Sequence, residues 1–193
     1  LNRQFGIFVD PSDAPEEETI PMIDQQLSLF ISAGHSDKDP GAVGNGYTEA
    51  DIVLEFRDLL AKQLRSLGVA FTKDGEKGEN LPLSNAISVA KSNDLAIEFH
   101  CNAFHLPSAT GVETLSNNRH LDVCNKINAL ISETLGINNR GAKGESSGQH
   151  SRLGFISKAD GIIVELFFIS NPNDLRKYQE NKELLAEKFA LLL

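Results

Sequence analysis

Cysteine, clustered positive charge and long apolar runs are all scarce in this 193-residue chain. Its two cysteines, Cys101 and Cys124, make neither a disulfide framework nor a CxxC zinc knuckle. Both are expected to be free, buried thiols, since cysteine packs as a small hydrophobe. No apolar stretch approaches the ~20 residues that cross a bilayer, so no membrane span is expected. No secretory leader is visible, but a chain that begins at Leu1 leaves the export route open. The 18 Lys and Arg residues are scattered through a chain of net charge −9. Phosphate binding needs a clustered basic surface, so nucleic acid is not expected as a partner. Internal repeats are missing too.

What is present suits one domain with an arm. Residues 10–21, "DPSDAPEEETIP", hold three prolines and five acids with no base. Residues 1–27 therefore read as an acidic arm or linker, in which "FGIFV" could pair as a short strand. From 28 to 193 apolar strands alternate with amphipathic helices, and 40% hydrophobic residues suffice for one sizeable core. "LSLFISA" (27–33), "VAFTK" (69–73), "DLAIEFHCNA" (94–103), "GVETLS" (111–116), "LGFIS" (153–157) and "DGIIVELFF" (160–168) read as strands. Helices are expected over 48–68, where Thr48 can cap and Gly68 can stop the run, over 82–93, over 119–136 and over 180–193. "NNRGAKGESSGQH" (138–150) reads as a glycine-rich loop. The expected fold is a single α/β layered domain, with a central, mostly parallel or mixed sheet of about six strands flanked by helices.

Three of the most buried-looking strands each deliver one ionisable residue: "FISAGH" gives His35, "AIEFH" His100 and "IIVE" Glu165. Burying a charge costs several kcal/mol unless it is paired or bound to metal, so three such residues at corresponding strand ends suggest a common partner. Ligands of such sheets gather outside the carboxyl ends of the strands. Two histidines and one carboxylate make a catalytic zinc set with a coordination position left for water. Glu49, in the first turn of the long helix, is the best third ligand, because the tight turns of "DPGAVGNGY" can fold the helix start back over the strand end. Asp37 and Asp39 could also reach a metal, although Asp39 before Pro40 reads better as a turn former. The residues alone leave blander readings open. Each histidine could be an ordinary core or surface residue, and Glu49 a helix-start acid favoured by the macrodipole.

The motifs go further. "GHSDKDPGAVGNGYTEADI" resembles the GHGG–DPGA–G–GxxE segment of zinc-dependent N-acetylmuramoyl-L-alanine amidases of the amidase-3 type. "EFHCNA" is similar to their SIHxNA strand and "IIVELFFISNPND" to their vLvExGFlSNpxD segment, while "GVE" and "NRGAK" fall in the same order. "GHSD" together with "NRGAK" is also similar to phage endolysin members. The resemblance implies Zn²⁺ held by His35, Glu49 and His100, with Glu165 as the catalytic glutamate. It further implies hydrolysis of the bond between N-acetylmuramic acid and L-alanine in peptidoglycan, whose glycan strand and stem peptide are then the partners. Action would be on the cell wall, periplasmic, extracellular or after phage release, by a chain expected to be a monomer. Leu166-Phe167-Phe168 departs from the family's glycine-containing step and bears on groove shape. The short connection from His100 to Gly111 implies an open groove that needs no activator.

Rival readings are a wall-binding module of the same fold without catalysis, and a zinc carboxypeptidase or deacetylase acting on the same polymer. A Cys101–His100 hydrolase is disfavoured because adjacent strand residues point to opposite faces. His105 and His150 could line the groove or lie on the surface. Arg140 could meet a stem-peptide carboxylate or simply pair within the fold.

Overall fold

The computed structural model describes residues 27–145 and 153–193. Most of the acidic arm, "FGIFV" included, and His150 lie outside the described residues. Six strands form the main sheet: β1 (Leu29–Ala33), β4 (Phe71–Lys73), β5 (Leu95–Asn102), β6 (Val112–Leu115), β7 (Asn139–Lys143) and β8 (Ile162–Phe168). Their order across the sheet is β4-β1-β5-β8-β6-β7. Every neighbouring pair is parallel except β6 against β8. The expected α/β sheet is therefore what the chain builds, and the antiparallel step makes it mixed. The two-residue strands β2 (Val43–Gly44) and β3 (Tyr47–Thr48) form a separate hairpin in the loop after His35.

Helices α1 (Glu49–Ser66), α3 (Leu121–Leu135) and α5 (Pro172–Leu192) cover one face of the sheet. The side chains they bury follow the strand period of two: Ile31, Ala33, Ile97, Phe99, Cys101, Ile162 and Val164. The shorter α2 (Leu83–Ala90) and α4 (Gly154–Ala159) cover Phe30, Ala96, Leu115 and Ile163 on the other face. Along α1, Ile52, Phe56, Leu60 and Leu64 are fully buried at a spacing of four, whereas Leu67 is exposed. The Thr48 side chain accepts the Asp51 amide at the start of α1, and Gly136 ends α3 in the left-handed conformation.

Three expectations need correction. "LGFIS" is not a strand. Phe155 and Ile156 are adjacent and both buried, which a one-turn helix packing on α2 allows and an alternating strand does not. The loop expected at 138–150 contains the edge strand β7, which continues the sheet although Gly141, at φ 83, interrupts its register. Helix α5 starts at Pro172 rather than near 180, because Asn171 accepts the Asn173 and Asp174 amides and proline fits a first helical turn. Asp174 then accepts Thr110 Oγ1, Gly111 N and Phe168 N, tying the ends of β6 and β8 to the start of α5. "SNPND" is thus a structural knot.

Candidate metal centre and its base

Strand β1 ends at Ala33, and the Gly34 amide still bonds to Phe99 O at 2.8 Å, so the chain leaves the sheet alongside β5. His35 follows with φ 67, a left-handed conformation that costs energy for a residue with a Cβ. It is fixed from both sides. Asn80 Nδ2 donates to Gly34 O at 2.8 Å, and His35 Nδ1 lies 3.1 Å from Asp39 Oδ2. Asp39 Oδ1 accepts the Gly41 amide, so this residue is both the expected turn former and a carboxylate that orients His35.

Glu49 is buried at the first position of α1. Its Oε1 stands 2.9 Å from His35 Nε2, 2.9 Å from His100 Nδ1 and 2.9 Å from the Cys101 amide, while Oε2 accepts the Ala42 amide at 2.9 Å. Burial works against ionising this carboxyl, but hydrogen bonds from the His100 and His35 rings outweigh it and hold Glu49 well below the usual carboxylate range. The two imidazoles meet edge to face with centroids 5.1 Å apart. Their ligand atoms and that of Glu49 lie within 4.8 Å of one another.

The ring nitrogens that face away from Glu49 also meet carboxylates. Asp39 takes His35 Nδ1, and Glu98 Oε1 stands 3.1 Å from His100 Nε2. A carboxylate accepting one imidazole N–H leaves the opposite nitrogen's lone pair for a metal. The network runs deeper. Ser32 Oγ lies 3.3 Å from Glu98 Oε2 and 3.1 Å from Asp74 Oδ2, and the fully buried Arg57 donates to Asp74 Oδ1 at 2.7 Å. Burial raises the Asp74 pKa, with the Arg57 guanidinium opposing.

Space around the cluster is kept by glycine. A Cβ on Gly34 would stand 2.3 Å from His100 Cε1, and one on Gly41 2.5 Å from His35 Nε2. Two imidazoles, an ionised carboxylate, outer carboxylates on both rings and cleared space fit a divalent cation of the zinc type.

Glu165 lies beside this cluster. In the β5–β8 register it pairs with His100, and in the β8–β6 register with Glu113, so the three form one row on the face that carries α2 and α4. Glu165 sits inside β8, which runs on to Phe168, rather than at its end. Its Oε2 is buried without a hydrogen-bond partner among the described residues. Burial, followed in weight by an opposing pull from His100 and by repulsion from Glu49 and Glu113, leaves its pKa raised to about 7. That is a carboxyl poised to exchange a proton at neutral pH.

Of the remaining candidates, Cys101 faces the core opposite His100, and burial pushes its thiol pKa well up, which suits packing and not attack. Cys124 is buried and free as well. Asp37 reaches the Asn80 amide through Oδ1, away from the cluster, and the His105 ring meets Phe104 at a tilt in an exposed loop. Sequence reasoning missed Glu98 and Glu113. The period of two pointed to Glu98 sharing a face with His100, but nothing local distinguished either glutamate from a solvent-facing one.

A family model described as N-acetylmuramoyl-L-alanine amidase matches residues 29–191. The Bacillus subtilis N-acetylmuramoyl-L-alanine amidase LytC is 27% identical over 162 residues, which cover 79% of this chain and 32% of LytC. The chain thus spans about a third of that relative. YqiI, also from B. subtilis, is 30% identical over 159 residues, 78% of this chain and 74% of YqiI. Among solved structures, a crystal structure from Neisseria meningitidis, of a protein assigned to the N-acetylmuramoyl-L-alanine amidases, superposes with a TM-score of 0.78. It shares 35% identity over 86% of this chain and 93% of that one.

Proposed function

Because the chain belongs to the N-acetylmuramoyl-L-alanine amidase family, we propose that it hydrolyses the amide bond joining the lactyl group of N-acetylmuramic acid to L-alanine in peptidoglycan. The observation that carries this reading is the row across the sheet: an imidazole–carboxylate–imidazole cluster with an unpartnered, partly buried glutamate in register beside it.

In this reading His35, Glu49 and His100 hold Zn²⁺, with Asp39 and Glu98 orienting the two rings. When bound, zinc supplies Lewis-acid chemistry, lowering the pKa of a water toward ~7 and polarising the scissile carbonyl. Glu165 accepts at Oε2 the proton that the attacking water gives up, then returns it to the departing alanine amine. The carbonyl carbon gains the water oxygen and the C–N bond breaks, so the products are a lactyl carboxylic acid on the glycan and a free amino terminus on the peptide. Burial raises this carboxyl's pKa in the metal-free fold, and the charge of a bound cation would draw it down again, so Glu165 would meet the water ionised and able to take its proton. Cys101 has no role in the chemistry, and all the residues named come from one chain. No helix among the described residues is long and apolar enough to cross a membrane. The substrate places the work at the cell wall.

Mass spectrometry of fragments released from purified peptidoglycan tests the proposal. New alanine amino termini on intact stem peptides, lost on chelation and restored by zinc, are the expected result. Release of terminal amino acids or of acetate would assign a different reaction to the centre. Wall binding without release would leave only a binding module.

A further inference from the structure

The row that holds His100 and Glu165 continues past the reacting groups. Glu113, one strand beyond Glu165, is buried, and its carboxylate is fully engaged. Oε1 accepts Asn102 Nδ2 at 2.9 Å, while Oε2 accepts Arg140 Nε at 2.7 Å and Lys143 Nζ at 2.5 Å. Those cations come from β7, where the irregularity at Gly141 sets Arg140 opposite Glu113. One carboxylate therefore answers two positive charges. The next acid along the chain, Glu145, is taken by the Leu153 amide. The Arg140 side chain remains 38% exposed, its guanidinium carbon stands 4.9 Å over the Phe168 ring, and its two Nη groups find no acceptor among the described residues. Held at Nε and stacked on an aromatic face, the fork is pre-organised, and its open edge suits two carboxylate oxygens.

We propose that Arg140 binds a carboxylate on the peptide side of the scissile amide, at the second or third residue of the stem peptide; the inference rests on the amidase reading above. Strands lie about 4.8 Å apart, so β7 is about 10 Å from Glu165 across β6. An extended peptide rises about 3.3 Å per residue, which makes that distance about three residues. The bond from Arg140 Nε draws the guanidinium back toward Glu113 and brings the second residue within reach. The stem peptide is the anionic part of the substrate, and Arg140 and Lys143, two cations sharing the Glu113 carboxylate, select the direction in which it lies.

The experiment compares muramoyl tripeptides bearing either a free carboxylate or its amide at residue two, and separately at residue three. Hydrolysis by the zinc-loaded protein is measured for the native chain, Arg140→Lys, Arg140→Gln and Arg140→Ala. The native chain should favour the free carboxylate at one of these positions by about 10–100-fold, carried in KM, as expected for a charge-assisted hydrogen bond. Arg140→Gln and Arg140→Ala should bring that ratio near one with kcat on the amidated substrate kept, and Arg140→Lys should keep part of it. An equal loss on acid and amide substrates, or no loss, would make Arg140 a counter-ion of Glu113 only and overturn the proposal. Binding of the free acid and amide peptides by each folded variant is measured alongside. If the muramoyl amide is never cut, the amidase reading fails, yet an Arg140-dependent preference for the acid peptide upholds the carboxylate site and equal binding refutes it.

Discussion

Replacing Glu165 by glutamine separates chemistry from metal binding and from folding. The side chain keeps its size, and Oε2 has no hydrogen bond to lose. What disappears is the ability to take a proton and, above its pKa, the negative charge. General acid–base groups contribute about 10²–10⁴-fold, so turnover should fall by that factor, about 2.7–5.4 kcal/mol at the transition state. Zinc content should stay at one per chain, since in this reading Glu165 is not a ligand. Stability should move the other way. The Glu165 pKa is raised from 4.5 to about 7 in the metal-free fold, so between those values the folded chain holds more proton than the unfolded one. Stability is then lost as pH rises through that window, by roughly 3 kcal/mol at about 1.4 kcal/mol per unit. The glutamine variant escapes this loss. Urea unfolding of the chelated proteins at pH 4.5 and pH 8 should show the variant gaining on the native chain by about 2–3 kcal/mol only at the higher pH. A variant that loses its zinc would put Glu165 among the ligands, and one that keeps full turnover would deny it the proton. An unchanged stability difference between the two pH values would refute the burial argument.

Removing one orienting carboxylate with Glu98→Gln should weaken zinc binding by about 10–100-fold in a competition titration against a chromophoric chelator, with the fold intact by circular dichroism. Asp74→Ala leaves the fully buried Arg57 without its 2.7 Å partner and should lower the free energy of unfolding by about 3–5 kcal/mol in urea. An effect below about 1 kcal/mol would mean that Asp58 and the Glu76 carbonyl carry that charge unaided. Gly34→Ala drives a methyl into the His100 ring, which would stand 2.3 Å from it. The variant should fold with a loss of about 1–3 kcal/mol and bind little zinc, whereas Gly144→Ala, with open space around the Cβ, should bind it normally.

Much of this was legible because strands speak in a period of two. Alternation fixes which residues share a face and so separates His100 from Cys101, and the turn-rich stretch ahead of Glu49 implies that the helix start returns to the strand end. Short elements were not legible. The apolar adjacency in "LGFIS" fits either a strand or one helical turn, and only packing on α2 decides it. Strand β7 was hidden by Gly141 and by the glycines that follow it, since an edge strand with a register shift needs little β propensity of its own. Glu98, Asp74 and Arg57 form one network from positions scattered over 42 residues of sequence, and no local pattern predicts such a meeting.

The strand that carries Glu165 lies between β5 and β6 in the sheet, yet it is the last of the six to be synthesised. Until it arrives, β4-β1-β5 and β6-β7 are two fragments with open edges facing each other, and open edges invite pairing with other chains. A nascent chain, emerging from its N-terminus, holds the three proposed metal ligands on one fragment and the Glu113–Arg140 patch on the other. It gains Glu165, the proposed base, only when β8 zips the halves together, a closure of high contact order and hence slow. Truncation before residue 162 would therefore leave a sticky, inert product. If the amidase reading holds, a chain built in this order stays inactive while it is being made.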